Sequence, residues 1–221
     1  MDALLHQFFN IEIMQKTWPL MLRGLGLTVG LCLAVIPLGL VGGLGVALAS
    51  TSERRAVRWT TAVLVDIFRA VPPMALLIFI SAGLPFAGIR LGPFWAVCLS
   101  FFLNNSAYYG EILRAGLQSI GSGQRQAARS TGLTAFQTQA YVVLPQAVRN
   151  VLPDLVSNTI EVVKLTSLAS VVAFAELLYS AEMARSVTYN ASPIVMAALM
   201  YLVLLWPAVR LASSLEHRLK S

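Results

Sequence analysis

Five apolar runs, each long enough to cross a hydrocarbon layer of ~30 Å at about 20 residues per crossing, constrain this chain more than any other feature. They cover residues 19–49, 60–84, 93–113, 152–178 and 193–215. Lipid offers the backbone no hydrogen-bond partner, so runs of this kind are helices. The predicted fold class is therefore an all-α integral membrane protein with five transmembrane helices, read as one domain over residues 1–221. With 57% hydrophobic and 12% charged residues, the chain is more apolar than soluble domains are. Its first run is longer than one crossing needs and holds Gly24, Gly26, Gly30, Gly39, Gly42, Gly43 and Gly45, which allow close helix contact and some bending.

The net charge of +6 would suit nucleic acid only if the basic residues clustered on one face. They fall between the apolar runs instead, where insertion topology explains them. With the N-terminus outside, the inner segments hold Arg54, Arg55, Arg58, Arg114, Arg125, Arg129, Arg149, Arg218 and Lys220, against Lys16, Arg23, Arg90 and Arg185 outside. This asymmetry predicts N-out, C-in and makes the long connection over about 116–150 cytoplasmic. The first fifteen residues carry Asp2 and Glu12 and no Lys or Arg, unlike a cleaved leader, so the first run is expected to be retained. Cys32 and Cys98 lie inside apolar runs without metal or redox spacing and read as small core residues.

The cytoplasmic connection resolves by local rules into two short helices. Ser122 is positioned to cap the first, Gly132 to end it in a left-handed turn, and Thr134 with Gln137 has the spacing of a capping box. Ala127 and Ala128 carry almost no side chain, so another protein's surface can approach that helix closely, with Arg125 and Arg129 flanking the contact. By pattern alone a solvated amphipathic loop remains an equal alternative.

Gln126-Ala127-Ala128, three residues, Gly132, nine residues and Val142-x-Leu144-Pro145 resemble the EAA loop of bacterial ABC-importer permeases. Gln126 stands where that pattern has Glu, and Val142 where it has Ile. Residues 107–116, the segment Lys164-Leu165-Thr166-Ser167-Leu168-Ala169-Ser170, and Phe68-Arg69-Ala70-Val71-Pro72 are similar to the polar amino-acid uptake branch of the family. The resemblance covers about residue 17 to the C-terminus. It implies a permease subunit in the bacterial inner membrane, paired with a second permease that is a copy or a paralogue. It further implies two ABC ATPase subunits that bind ATP and Mg, an external solute-binding protein and an amino-acid substrate. The ATPase-coupling residues would then be Gln126, Ala127, Ala128, Gly132, Leu144 and Pro145, with the solute-binding protein docking on outer loops around 85–92 and 179–192.

Charges inside apolar runs face protein or water, because each costs ~2.5–3.5 kcal/mol at the membrane centre. Asp66 with Arg69, Glu111 with Arg114 and Glu161 with Lys164 are each three residues apart, acid first, which puts both members on one helical face. The first two pairs read as structural or gating pairs near span ends. Asn158, Glu161 and Lys164 form a polar stripe that should line the bundle interior, and with Thr166 and Ser167 they are the candidate substrate path. An ion pair without substrate contact is the alternative there.

The sequence lacks a Gly-x4-Gly-Lys-Ser/Thr phosphate loop, so ATP binding is not expected in this chain. His6 and His217 fall in opposite terminal segments, which gives no catalytic or metal-binding set. A hydrolase using Ser167 or Ser170 would need partners the spans do not offer. A secondary transporter driven by an ion gradient is the alternative transport reading; inverted repeats would mark it, and none is visible.

Overall fold

The computed structural model describes Asp2–Lys220, with side chains described over 4–215; Asp2, His217, Arg218 and Lys220 lie outside the described side chains. The protein is 87% helix, with no strand among the described residues. The helices are α1 (Asp2–Phe8), α2 (Ile11–Ser50), α3 (Arg55–Ala70), α4 (Pro73–Ile78), α5 (Pro93–Ser119), α6 (Ser122–Ser130), α7 (Ala135–Gln137), α8 (Leu144–Asn150), α9 (Leu152–Leu165), α10 (Leu177–Thr188) and α11 (Ser192–Lys220).

Among the described residues, three stretches are long and apolar enough to cross a membrane: Leu4–Ser50, Leu152–Val172 and Ser192–Leu215. Arg55–Ala70 with Pro73–Ala87 adds a fourth if that bent pair counts as one span. Length and hydropathy thus give three or four crossings where the sequence counts five apolar runs. The run at 60–84 breaks at Val71, whose extended backbone (φ −75°, ψ 126°) ends α3. Pro72 follows it, and a residue before proline is pushed out of the helical region. The run at 93–113 is a 27-residue helix, α5, but its Ser100, Asn104, Asn105 and Ser106 are polar and buried in the protein. A helix sheathed by its own fold need not be apolar all round.

Boundaries move for local reasons as well. α2 begins at Ile11, eight residues before Pro19, because Asn10 Oδ1 accepts the Ile13 N–H (3.1 Å) and starts the helix there. Its 40 residues span ~60 Å at 1.5 Å per residue. The run at 152–178 leaves α-helix at Leu165, tightens into a 3-10 turn over Thr166–Val172, and stops at Ala173, whose φ is 57°. The connection at 179–192, expected as an outer loop, is mostly the helix α10.

The chain divides into two compact units. The first comprises the chain up to Ile36, Pro73–Ser100 and Ile160–Arg210. Met21, Leu177, Ala181, Met196 and Ala197 form its core, with Cys32 and Cys98 also buried. Gly24 makes that core possible: a Cβ there would stand 2.5 Å from Ser180 Oγ and 3.0 Å from Leu177 Cα.

Glu176, which the sequence reading passed over, fixes α10 within this unit. It is fully buried; its carboxylate accepts the backbone N–H groups of Leu178 (2.8 Å) and Tyr179 (2.7 Å) and the Tyr201 hydroxyl (2.8 Å). Thr28 Oγ1 accepts the adjoining Leu177 N–H at 3.0 Å. Two of these three hydrogen bonds to one buried carboxylate, each worth ~1.5–3 kcal/mol net, cap α10, and the third joins it to α11. Glu176→Ala is expected to lower the thermal unfolding midpoint of the purified permease by several degrees. Glu176→Gln should lose less, because its amide oxygen still accepts. Equal midpoints for Glu176→Ala and wild type would show that the carboxylate is not the cap.

The second unit comprises Pro37–Pro72, Phe101–Thr159 and the chain from Leu211 on. Its seam is the contact of Gly42 and Gly43 on α2 with Ser106, Tyr109 and Gly110 on α5. Tyr109 is fully buried there. Thr159 spends its hydroxyl proton on the Leu155 carbonyl (2.8 Å), so Tyr109 donates to Thr159 Oγ1 at 2.8 Å and ties α5 to α9.

Candidate coupling loop and charged clusters

The connection after α5 is built as two short helical segments within the second unit. Arg125 Nη2 donates to the Leu117 carbonyl (2.8 Å), which satisfies an acceptor in the last turn of α5 that the helix itself leaves open. α6 then runs from Ser122, with Gly121 as its cap residue and no side-chain capping bond. Ser122 is thus the first helical residue and not the cap. Gly132 does adopt the left-handed conformation (φ 89°). The capping box forms in full: Gln137 N–H to Thr134 Oγ1 at 3.2 Å, and Thr134 N–H to Gln137 Oε1 at 2.9 Å.

Beyond α7 the chain widens into a π turn over Thr138–Val143 before Pro145 enters α8. Proline brings no N–H to the ladder, and the neighbouring Gln146 side chain donates to the Val142 carbonyl at 2.7 Å. Leu144 is half-buried and Pro145 exposed.

Position on α6 separates the two alanines that the sequence treats alike. Ala128 is buried (8% exposed) in the chain's own fold, whereas Gln126 and Ala127 are exposed. The expectation that both alanines face outward is corrected: on a short helix, adjacent residues point about 100° apart. Arg125 and Arg129 do not stand free as flanking charges either, since Arg129 Nη1 donates to the Leu133 carbonyl (2.8 Å). Two aromatic residues the sequence reading missed, Phe136 (78% exposed) and Tyr141 (71%), stand out on this loop. No pattern in the sequence marks them, because an exposed aromatic and a buried one read alike in a short segment.

The charged pairs diverge in environment. Glu111 and Arg114 pair through two hydrogen bonds, and Arg114 also donates to Gln118 (2.7 Å). Asp66 and Arg69 do not pair; the Arg69 guanidinium lies over the Tyr108 ring, 5.5 Å from its centroid. All four line one cleft of about 320 Å³ in the second unit. Nearby in sequence, Asn104 Nδ2 donates to the Phe68 carbonyl (3.0 Å) and ties α5 to α3.

Of the candidate substrate-path residues, Glu161 and Lys164 form an ion pair on α9, Lys164 Nζ to Glu161 Oε1 at 2.6 Å, with side chains 62% and 52% exposed. Asn158 is half-buried one turn earlier. Ser167 is half-buried and donates to the Lys164 carbonyl (2.8 Å). Thr166 departs from the candidate path: it is fully buried and donates to the Val163 carbonyl at 2.6 Å. Two residues beyond Lys164 at about 100° per residue, it points about 160° away from that side chain and into the fold. Among the described residues no group of three His, Cys, Asp or Glu side chains is placed to hold a metal.

With this geometry in view, the comparisons with known proteins are specific. Residues 39–221 match the family described as binding-protein-dependent transport system inner membrane component, and the chain belongs to that family. It is 31% identical over 205 residues to the arginine transport system permease protein ArtQ of Bacillus subtilis (strain 168), covering 92% of this chain and 94% of the relative. It is 32% identical over 212 residues to the probable glutamine ABC transporter permease protein GlnM of the same organism, covering 96% and 98%. Among solved structures, an amino acid ABC transporter crystallised with histidines superposes with a TM-score of 0.83 at 34% identity, covering 93% of this chain and 96% of that one. The inward-facing MetNI methionine ABC transporter, at 20% identity and a TM-score of 0.76, shares the fold. The family resemblance read from the EAA-like loop thus agrees with full-length similarity.

Proposed function

We propose that this chain is the permease subunit of an ABC importer that carries a polar amino acid into the cytoplasm. Its relatives named for arginine and glutamine transport support the substrate class. The reading places the chain in the inner membrane with its N-terminus outside and its C-terminus in the cytoplasm, as one transmembrane domain. Its partners are ABC ATPase subunits holding ATP and Mg, a second permease and an external solute-binding protein. The exposed face of α6, with Gln126 and Ala127, meets the ATPase; Gly132, Leu144 and Pro145 hold the loop's shape, and Ala128 packs behind. Phe136 and Tyr141 extend that surface, since exposed aromatics at a helix pair are the residues a partner's groove takes up.

The single observation that carries the transport reading is the half-exposed Glu161–Lys164 pair on an apolar stretch that can cross a membrane. Such charges do not face lipid, so the exposed side of α9 borders water or a second permease. An amino acid's ammonium and carboxylate find partners of opposite charge in Glu161 and Lys164, next to Asn158 and Ser167. Asp66, Arg69, Glu111 and Arg114 are assigned to a gating or structural cluster.

Glu161→Gln and Lys164→Met are each expected to cut uptake by on the order of tenfold while membrane level and ATPase co-purification stay unchanged, because each strands one charge in a polar path. The measurement is uptake of radiolabelled amino acids by vesicles holding the whole transporter. Unaltered uptake and substrate preference in both variants would remove the stripe from the path, and uptake surviving ATP depletion would overturn the importer reading altogether.

A further inference from the structure

Within the second unit, a groove of about 350 Å³ runs between α2, α3 and α5, lined by Gly45, Val46, Leu64, Phe68, Phe102 and Leu103 among others. Val65 also lines the charged cleft of about 320 Å³, so one side chain separates an apolar slot from a polar one. The cleft takes Ser50 from the end of α2, Arg58 from the start of α3, and Arg114 and Gln118 from the end of α5. Its arginines Arg58, Arg69 and Arg114 outnumber its acids Asp66 and Glu111. Glu111 is committed to Arg114, while neither Arg58 nor Arg69 has a carboxylate within ion-pair distance among the described residues. Arg58 reaches only the Ser52 carbonyl, at 3.0 Å. Arg54 and Arg55 precede it, against the one acid Glu53, so this rim is basic beyond the cleft itself.

An apolar slot beside a cleft in which Arg58 and Arg69 lack carboxylate partners matches one chemical class of ligand. We propose that this groove seats an anionic phospholipid, with an acyl chain along Gly45, Val46 and Phe102 and the phosphate between Arg58 and Arg69. Arginine presents paired N–H donors that fit phosphate oxygens. Basic pockets between membrane helices attract anionic head groups. Gly45 keeps the slot open: a Cβ built there meets no atom within 4 Å, so a larger side chain fills the slot and not a neighbouring helix. The site is independent of which solute the protein moves.

The test uses the whole transporter in nanodiscs of phosphatidylglycerol and phosphatidylcholine, released into detergent, with retained lipid counted by native mass spectrometry. The expected result is retention of phosphatidylglycerol at one per permease chain in preference to phosphatidylcholine. Arg58→Gln and Gly45→Leu should each lower this retention at least tenfold while the complex stays assembled. Equal retention of both lipids would overturn the site. So would phosphatidylglycerol retention that Gly45→Leu leaves unchanged and millimolar inorganic phosphate displaces, since that marks a surface anion site without an acyl slot. Cross-linking of Gly45→Cys between two permease copies would also overturn it, because the groove would then be filled by protein.

Discussion

Gly43→Leu is expected to leave less than about a tenth of the wild-type permease in the membrane, with no cooperative thermal transition in what remains. A Cβ at Gly43 would stand 2.5 Å from Tyr109 Cβ and 2.9 Å from the Gly110 backbone nitrogen. Neither neighbour has room to move. Tyr109 is fully buried and hydrogen-bonded to Thr159, and on the same seam a Cβ at Gly110 would meet Val46 Cγ1 at 2.4 Å. Overpacking an ordinary core costs ~1–3 kcal/mol. Here the obstacle includes backbone, so the two helices must separate along the seam and most of a total stability of ~5–15 kcal/mol is at stake. Gly45→Leu, two residues along the same helix and facing open space, is the internal control and should accumulate normally. If the two variants reached equal membrane levels and unfolded at the same temperature, the close contact of α2 and α5 would not be what holds this unit together.

Ala127→Glu and Ala128→Glu should both abolish uptake, but by routes that a second measurement separates. Ala127 is exposed on α6, so Ala127→Glu is expected to leave membrane level and thermal stability at wild-type values while co-purification of the ATPase falls by at least tenfold. A charge placed against a partner's small interface is buried unpaired, at a cost of several kcal/mol. Ala128 is buried inside the chain, so Ala128→Glu strands its charge in the loop's own packing and should lower the unfolding midpoint before any partner is added. Gly132→Val belongs with the second case, since its φ of 89° lies where a β-branched residue is strained. Uptake at the wild-type rate in Ala127→Glu would take the coupling role away from α6. A lowered midpoint in Ala127→Glu matching that of Ala128→Glu would show that the outward face had been assigned to the wrong alanine.

The loop was legible because its signals are local. A capping box is fixed by two residues three apart and a left-handed turn by one glycine, so Thr134, Gln137 and Gly132 could be assigned without knowing what surrounds them. The span count was less legible because the same apolar composition serves different ends. Val71 and Pro72 interrupt a run that hydropathy alone carries through, and α5, long enough to cross, keeps Asn104, Asn105 and Ser106 inside the protein, which lowers its hydropathy. Thr166, added to the candidate path beside the stripe, is buried instead, because it lies on the opposite side of the helix from Lys164. Asp66 and Arg69 show the limit from another side: their spacing permits a pair that the stacking of Arg69 on Tyr108 replaces.

By itself the sequence determined the helical class, the membrane as solvent and the two-segment loop, because periodicity, hydropathy and capping act over a few residues and do not depend on the rest of the chain. The family came from the resemblance of the loop's motif. Tertiary structure alone decided that Ala128 turns inward while Ala127 does not, and that Glu176 is a buried cap shared by α10 and α11. It also decided that Gly43, among seven glycines of one apolar run, is the one pressed hardest against a neighbouring backbone. Those outcomes depend on which face of each helix meets another, and packing settles that through contacts between residues tens of positions apart, which no local pattern records.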